Sequence, residues 1–161
     1  MASDYILEID KIKGESKDEK NPETIEVQSF SWGISNPGSF ASGGGGGTGK
    51  ASFQDLHFTA SVSKASPLLA LASATGQHIS KAVLHVRKSG DNPQEYYTIT
   101  LTDVLVSSYQ AGGNEGSSAL PVDQFSLNFA KIVFDYKPQD EKGKLGGAVN
   151  FTYDLKTAKT G

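Results

Sequence analysis

Alternation of apolar and polar residues is the dominant pattern along this chain. Near the C-terminus, Val149, Phe151, Tyr153 and Leu155 alternate with polar residues, which is the period of a half-buried strand. The same period predicts strands in three other places, at Tyr5, Leu7 and Ile9, at Leu84 and Val86, and at Tyr97, Ile99 and Leu101. The pattern therefore predicts a mainly β protein.

Two of the predicted strands change parity midway. Apolar residues occupy odd positions at Ile25 and Val27 but even positions from Phe30, and a second change lies between Phe129 and Ile132. A one-residue slip turns side chains to the opposite face, and a bulge or bend absorbs such a slip where a strand turns a corner. We therefore expect a closed or nearly closed β-barrel of two packed antiparallel sheets.

One short α-helix, at about residues 66–75, interrupts the β pattern. Ser66 is the predicted N-cap, Pro67 suits the first helical position, and Gly76 suits a left-handed C-terminal residue. We expect this helix to flank the barrel and to cover backbone groups at an edge. No repeat or second domain is evident, so residues 1–161 are predicted to form a single domain.

Two long connections are predicted. The polar segment 13–23 contains Pro22 and is predicted to be a solvated loop. The second, at about 36–50, contains five consecutive glycines, and Gly44, Gly49 and Lys50 have the spacing of a phosphate-binding loop. However, Ala51 cannot ligate magnesium, and a strand follows where such a loop requires a helix. We interpret this segment as a flexible connection that orders against a partner.

Composition excludes several classes of function. The 161 residues include 15 basic and 18 acidic residues, and a net charge of -3 gives no basis for binding nucleic acid. Cysteine is absent, so disulfides and thiolate metal sites are excluded. The start, MASDYILEID, lacks the features of a signal peptide, and no apolar run is long enough for membrane insertion. Charged residues amount to 20%, which indicates either many turns or an uncharged surface that contacts other subunits.

Candidate catalytic and metal-binding groups are few. The three histidines, His57, His78 and His85, belong to no paired ligand motif, and no G-x-S-x-G elbow is present. Asp103 and Asp135 lie in apolar strands and are predicted to point outward at a bend. The sequence therefore predicts no catalytic, cofactor or metal site and no enzymatic activity.

A family resemblance extends over nearly the whole chain. It rests on the order of these segments: IDKIKGESKDE at 9–19, SFSWGISNPGS at 29–39, GGGGGTGKASFQDLHFT at 43–59, ATGQHISKAVLHVRKSG at 74–90, YYTITLTDVLVSSYQAGG from 96 and SLNFAKIVFDYKPQ to 139. In these segments the chain resembles the haemolysin-coregulated protein (Hcp) family, which forms the tube of the bacterial type VI secretion system.

The resemblance implies both an architecture and a function. It implies a β-barrel with a flanking helix, hexameric rings that stack into a hollow tube, and contacts with the spike, contractile sheath and baseplate. It also implies assembly in the bacterial cytoplasm, expulsion by the sheath without a cleaved signal peptide, and effector proteins carried in the lumen. Within the resembling segments, we expect these residues to support or form contacts between copies: Trp32, Gly33, Asn36, Gly45, Lys50, Gln54 and Asp55.

Two other functions are compatible with the residues alone. One is a monomeric secreted β-barrel that binds carbohydrate or peptide through aromatic residues such as Tyr96, Tyr97 and Tyr109. The other is a nucleotide hydrolase that uses Lys50. Formation of a stable ring would distinguish the tube subunit from the monomeric binding module. Binding of a nucleotide would indicate the hydrolase.

Overall fold

The computed structural model describes residues 3–38, 51–90, 94–116 and 118–160. Within these ranges the chain forms strands and one α-helix, with these bounds: β1 Ser3–Ile9, β2 Ile25–Glu26, β3 Ser29–Ser31, β4 Ile34–Ser35, β5 Ser52–Phe53, β6 Leu56–Ser61, α1 Ala65–Thr75, β7 Ile79–Lys88, β8 Glu95–Gly112, β9 Val122–Tyr136, β10 Val149–Asp154 and β11 Lys159–Thr160. The prediction of a mainly β protein with one short helix is confirmed.

Every strand pairing is antiparallel. The main sheet has the order β11-β10-β9-β8-β7-β1-β2, and β6 joins it by pairing with β9 on one side and β3 on the other. Strand β9 pairs with β6 through its first half and with β10 through its second half. Strands β4 and β5 form a separate two-stranded sheet.

The chain segment 25–31 carries the sheet from β1 towards β6. Its first part pairs with β1 and its last part with β6, and single backbone bonds join the two: Val27 N donates to Tyr5 O at 3.0 Å and Gln28 N to Thr59 O at 2.7 Å. The first predicted parity change lies at this crossing. The sheets do not close into one continuous ladder. Of the two predicted forms of the barrel, closed or nearly closed, the second therefore describes the fold.

The second parity change lies where β8 and β9 bend together. Asp103 has a left-handed backbone, with φ of 55°, between two regular stretches of the ladder. In β8 the buried positions change there from Leu101 to Val104, and in β9 from Ile132 to Phe129. Because paired strands must bend at the same level, both change face together, and the predicted bend is confirmed.

The core lies between the strands of the main sheet and α1. Phe58 and Phe125 stack on each other with ring centroids 5.3 Å apart, and α1 contributes Leu69 and Ala72. Other fully buried side chains include Leu7, Leu56, Leu84, Ile99, Leu101, Leu127 and Ile132. Burial of these apolar side chains is the main stabilising contribution.

The helix ends as predicted but begins differently. Gly76 adopts the left-handed conformation, with φ of 65°, and its N–H donates to Ala72 O. The N-terminal prediction is wrong, because α1 begins at Ala65, and Lys64 occupies the cap position without a side-chain bond. Ser66 lies inside the first turn, where its hydroxyl accepts a hydrogen bond from the Ser63 N–H at 3.0 Å and donates one to an acceptor on β9.

That acceptor is Asp123, a buried carboxylate on β9. Its Oδ2 accepts a hydrogen bond from the Ser66 hydroxyl, and its Oδ1 accepts one from the Tyr109 hydroxyl at 2.7 Å. The carboxylate thereby joins the first turn of α1 to β8 and β9. Because the group is buried and both of its oxygens are hydrogen-bonded, this contact fixes the helix against the sheet.

The segment 13–23 is more closely packed than the predicted solvated loop. Gly14 N donates to Glu23 O at 2.9 Å, and Ser16, which is buried, donates its N–H to Thr24 O at 2.9 Å. Asp18 forms an ion pair with Arg87 on β7. The hydrogen bond from Arg87 lowers the pKa of Asp18, and the pair ties the loop to the barrel.

Candidate self-association site

The two flanks of the glycine-rich segment meet in the structure. Ile34 pairs with Phe53 and Ser35 with Ser52, so β4 and β5 form a short ribbon at the base of the segment. Next to the ribbon, Gln54 N donates to Gly33 O at 2.9 Å. Residues 39–50 lie outside the described ranges.

Aromatic contacts fix this ribbon to the main sheet. Trp32 meets Phe134 of β9 edge-to-face, with ring centroids 6.2 Å apart. Phe53 contacts Phe129 in the same geometry at 6.4 Å and packs against Tyr153 of β10 at 4.8 Å. Such pairs add to the stabilisation that burial provides, so the base of the ribbon is rigidly placed.

Asp55 completes the base of the ribbon. Its carboxylate accepts hydrogen bonds from the Ser107 hydroxyl at 2.6 Å and from Asn128 Nδ2 at 2.9 Å. The register of β8 against β9 shifts between Val106 and Ser108, and this bulge turns Ser107 towards Asp55. Asp55, which lies between β5 and β6, therefore ties this link to β8 and β9.

The seven predicted contact residues thus fall into three groups. Trp32, Gly33, Gln54 and Asp55 lie together at the base of the ribbon and support it, and Asn36 is exposed directly after β4. Gly45 and Lys50 lie outside the described residues. The individual roles of these residues in contacts between copies remain predictions.

A neutral polar surface lies beside this base, and the sequence reasoning did not identify it. Its centre is a shallow hollow of about 430 Å³ whose lining contains no carboxylate, lysine or arginine. The signal in the sequence was the alternation of polar residues with buried Leu56, Phe58 and Ala60 along β6. The polar lining consists of Ser31, His57, Thr59, Ser108, Gln110 and Gln124.

A charged cluster lies on the other half of the barrel. His85 Nδ1 lies 2.7 Å from Glu95 Oε1, and His85 Nε2 lies 3.3 Å from Glu8 Oε1. Burial disfavours the charged imidazole, but the hydrogen bonds and charges of the two glutamates outweigh it and raise the pKa of His85. The hydrogen bond from His85 lowers the pKa of Glu95. The cluster joins β1, β7 and β8.

The described ranges contain no recognisable metal site. Within them, no three histidine, aspartate or glutamate side chains are grouped to hold a metal ion. Asp103 is exposed at its bend, as predicted, with His78 Nε2 at 2.9 Å and Lys156 Nζ at 3.6 Å. No helix in these ranges has the length and apolar character needed to cross a membrane.

Comparisons with known proteins agree with this fold. Residues 6–136 match the family described as type VI secretion system effector, Hcp. The chain is 44% identical to protein hcp1 of Pseudomonas aeruginosa over 158 residues, which is 97% of each chain.

Solved structures give the same result. A structure described as a type six secretion system protein superposes with a TM-score of 0.93 at 34% identity, covering 99% of this chain and 100% of the other. Hcp1 from Salmonella typhimurium superposes with a TM-score of 0.80 at 32% identity, covering 99% of both chains.

The chain therefore belongs to the Hcp family of the type VI secretion system. This confirms the family of tube proteins predicted from the sequence. None of these comparisons supports the alternative of a monomeric binding module.

Proposed function

We propose that this chain is the ring-forming subunit of a type VI secretion tube. Copies join head to tail into a hexameric ring around an open centre, and rings stack into a hollow tube. The observation that carries this proposal is the 44% identity to an Hcp protein over 97% of the chain, together with the matching fold. The chain acts through one Hcp-like domain and breaks no bond.

The ribbon of β4 and β5 carries the segment through which we expect copies to contact each other, within a ring or between stacked rings. It fixes both ends of the glycine-rich segment, while Trp32 and Phe53 hold its base against β9. A base fixed in this way allows a contact to form next to it without displacing the barrel. Asn36, Gly45 and Lys50 are the proposed contact residues in this segment.

The proposed partners follow from the same role. The assembled tube is enclosed by a contractile sheath, begins at a baseplate and ends in a spike, and its lumen holds effector proteins. The tube assembles in the bacterial cytoplasm and is expelled to the exterior or into a target cell. The neutral hydroxyl and amide groups of the polar surface suit a wall along which varied cargo passes without strong charge contacts.

Sedimentation velocity with negative-stain electron microscopy tests the proposal. The purified chain should sediment as a particle with six times the chain mass of 17.0 kDa, and electron micrographs should show annular particles. A monomer at every concentration tested would instead favour the solitary binding module.

A second experiment tests the role in the cell. Deletion of the gene from its host should abolish export of type VI effectors, and the wild-type gene supplied in trans should restore it. Continued export from the deletion strain would contradict the assignment.

A further inference from the structure

Helix α1 has an outer face that its own chain leaves uncovered. The helix contains no charged residue, and Leu69 and Ala72 on its inner face are buried in the core. On the outer face Leu68 is 41% exposed and Leu71 is 57% exposed, and these two residues lie one turn apart. A soluble helix normally carries charged or polar side chains on that face.

The strand beside the helix is also incomplete. Helix α1 contacts β8, whose pairing with β7 ends at Ile79 opposite Val104. From Leu105 to Gly112, β8 pairs with β9 on one side, and in the described ranges it has no strand on the other. This stretch contains no charged residue either, whereas exposed strand edges are usually protected by charges or proline.

A second uncharged surface lies on the opposite side of the same strands. The order β3-β6-β9-β8 places β3 at the far edge, where it pairs with β6 alone. Residues 27–38 contain no lysine, arginine, aspartate or glutamate, and Ile34 within them is 45% exposed. The chain therefore presents two different uncharged surfaces, one at each edge of these four strands.

We propose that the outer face of α1 is the surface that each copy presents to the next copy in the ring, and that it docks on the uncharged segment 27–38 of that neighbour. This inference rests on the proposed function, because only a head-to-tail ring pairs two unlike surfaces of one chain and leaves neither uncovered. The occupant is a second copy, since both surfaces lack charge, and each has an exposed aliphatic side chain to bury. Leu71 is the central contact residue on the helix.

Cysteine labelling of assembled rings tests the proposal. The chain has no cysteine, so Leu71→Cys, Ile34→Cys and the control Leu155→Cys each introduce a single thiol. In an isolated chain Leu71 and Ile34 are more exposed than Leu155, which is 37% exposed, so their thiols should react faster with a maleimide. In fractions of ring mass the order should reverse, and Leu155→Cys should react fastest.

A charge placed on the helix gives an independent test. Leu71→Glu should abolish the ring peak in sedimentation and leave the thermal midpoint of the chain unchanged, because the side chain points away from the core. The control Leu155→Glu should retain the ring. A Leu71→Glu variant that still forms rings would overturn the assignment of this face.

The outcomes separate the inference from the function on which it rests. Rings that form while the labelling order stays that of the isolated chain would overturn the inference alone. Protection of the Leu71 thiol without protection of the Ile34 thiol would overturn the assignment of segment 27–38 as the counterpart. A wild-type chain that forms no ring would overturn the inference together with the proposed function.

Discussion

The two halves of this barrel differ in the charge of their surfaces and in the partners that these surfaces have within the chain. Around β1, β7 and the start of β8, charged side chains meet partners within the chain, as His85 does with Glu8 and Glu95, and as Arg87 does with Asp18.

The residues of α1, of β3 and of the end of β8 include no charged side chain, although the carboxylates of Asp55 and Asp123 bond to this region from neighbouring segments. In the described ranges each of these two strand stretches is paired on one side, and Leu68 and Leu71 of the helix are exposed.

This difference shows where a second copy belongs. A half whose charges are already paired gains little from another contact, because those pairs would have to be desolvated again. The uncharged half gains from burial at little desolvation cost. Changes in the charged half should therefore alter the stability of the chain, and changes on the outer face of α1 should alter assembly.

The largest expected effect comes from a steric clash introduced in the charged half. A Cβ at Gly14 would lie 2.4 Å from the carbonyl oxygen of Thr24, where only backbone could give way. Gly14→Ala should therefore lower the free energy of unfolding by about 3 kcal/mol, measured by urea denaturation. Gly147→Ala, where a Cβ would meet nothing within 4 Å, is the control, and an equal loss in both variants would contradict this reasoning.

Removal of one charge from the partly buried ion pair should have the next largest effect. Arg87 is only 11% exposed, and its Nε and Nη1 have no hydrogen-bond partner in the described ranges. Asp18 is its main partner, since the more exposed Asp4 carboxylate lies 3.7 Å from Nε. Asp18→Asn should cost about 2 kcal/mol in urea denaturation. The exposed neighbour Glu19 supplies the control, Glu19→Gln, which should cost no more than about 0.5 kcal/mol.

The same ion pair should make stability depend on acidity. The pKa of Asp18 is lowered in the folded chain, so its contribution is present at neutral pH and is lost as the pH falls through the folded pKa. In Asp18→Asn this acid-dependent part of the unfolding free energy should disappear. An unchanged acid profile in the variant would assign the loss to other groups.

A smaller effect is expected where α1 is anchored to the sheet. Tyr109→Phe removes one of the two hydroxyl donors of buried Asp123 and should cost about 1.5 kcal/mol. The control Tyr153→Phe removes a hydroxyl that takes no part in this anchor and should cost less. If the two tyrosine variants lose equal stability, the Asp123 contact is not what holds the helix.

The smallest effect is expected from the histidine of the charged half. The pKa of His85 is raised by its two glutamates, so its contribution is complete below about pH 6.5 and is lost as the pH rises through the folded pKa. The free energy of unfolding should fall by about 1 kcal/mol over that rise. His85→Gln should flatten the profile, and NMR titration of the imidazole would contradict the prediction if its folded pKa lay below the usual value.

The sequence predicted the strands well because alternation reports burial directly. The bends were also predictable, since the parity changes after Val27 and after Phe129 mark the places where the chain crosses or turns. The N-terminus of α1 was not, because the Ser66 side chain is oriented by the hydrogen bond that it donates to Asp123, which lies 57 residues further along the chain. Local capping rules contain no information about such a distant acceptor.

The candidate site was predicted only in part for a similar reason. The flanks of the glycine-rich segment were recognisable as a motif, and the structure places Gly33 beside Gln54. The exposure of Leu68 and Leu71 could not be predicted, because a short run of apolar residues does not indicate which of them face the core.

Sedimentation of the wild-type chain across ionic strength tests the central claim most directly. If copies join through uncharged surfaces, a particle of ring mass should persist from roughly 0.1 to 1 M NaCl, since salt screens charge contacts but does not weaken apolar burial. A chain that stays monomeric, or a ring that dissociates as salt is added, would contradict the account.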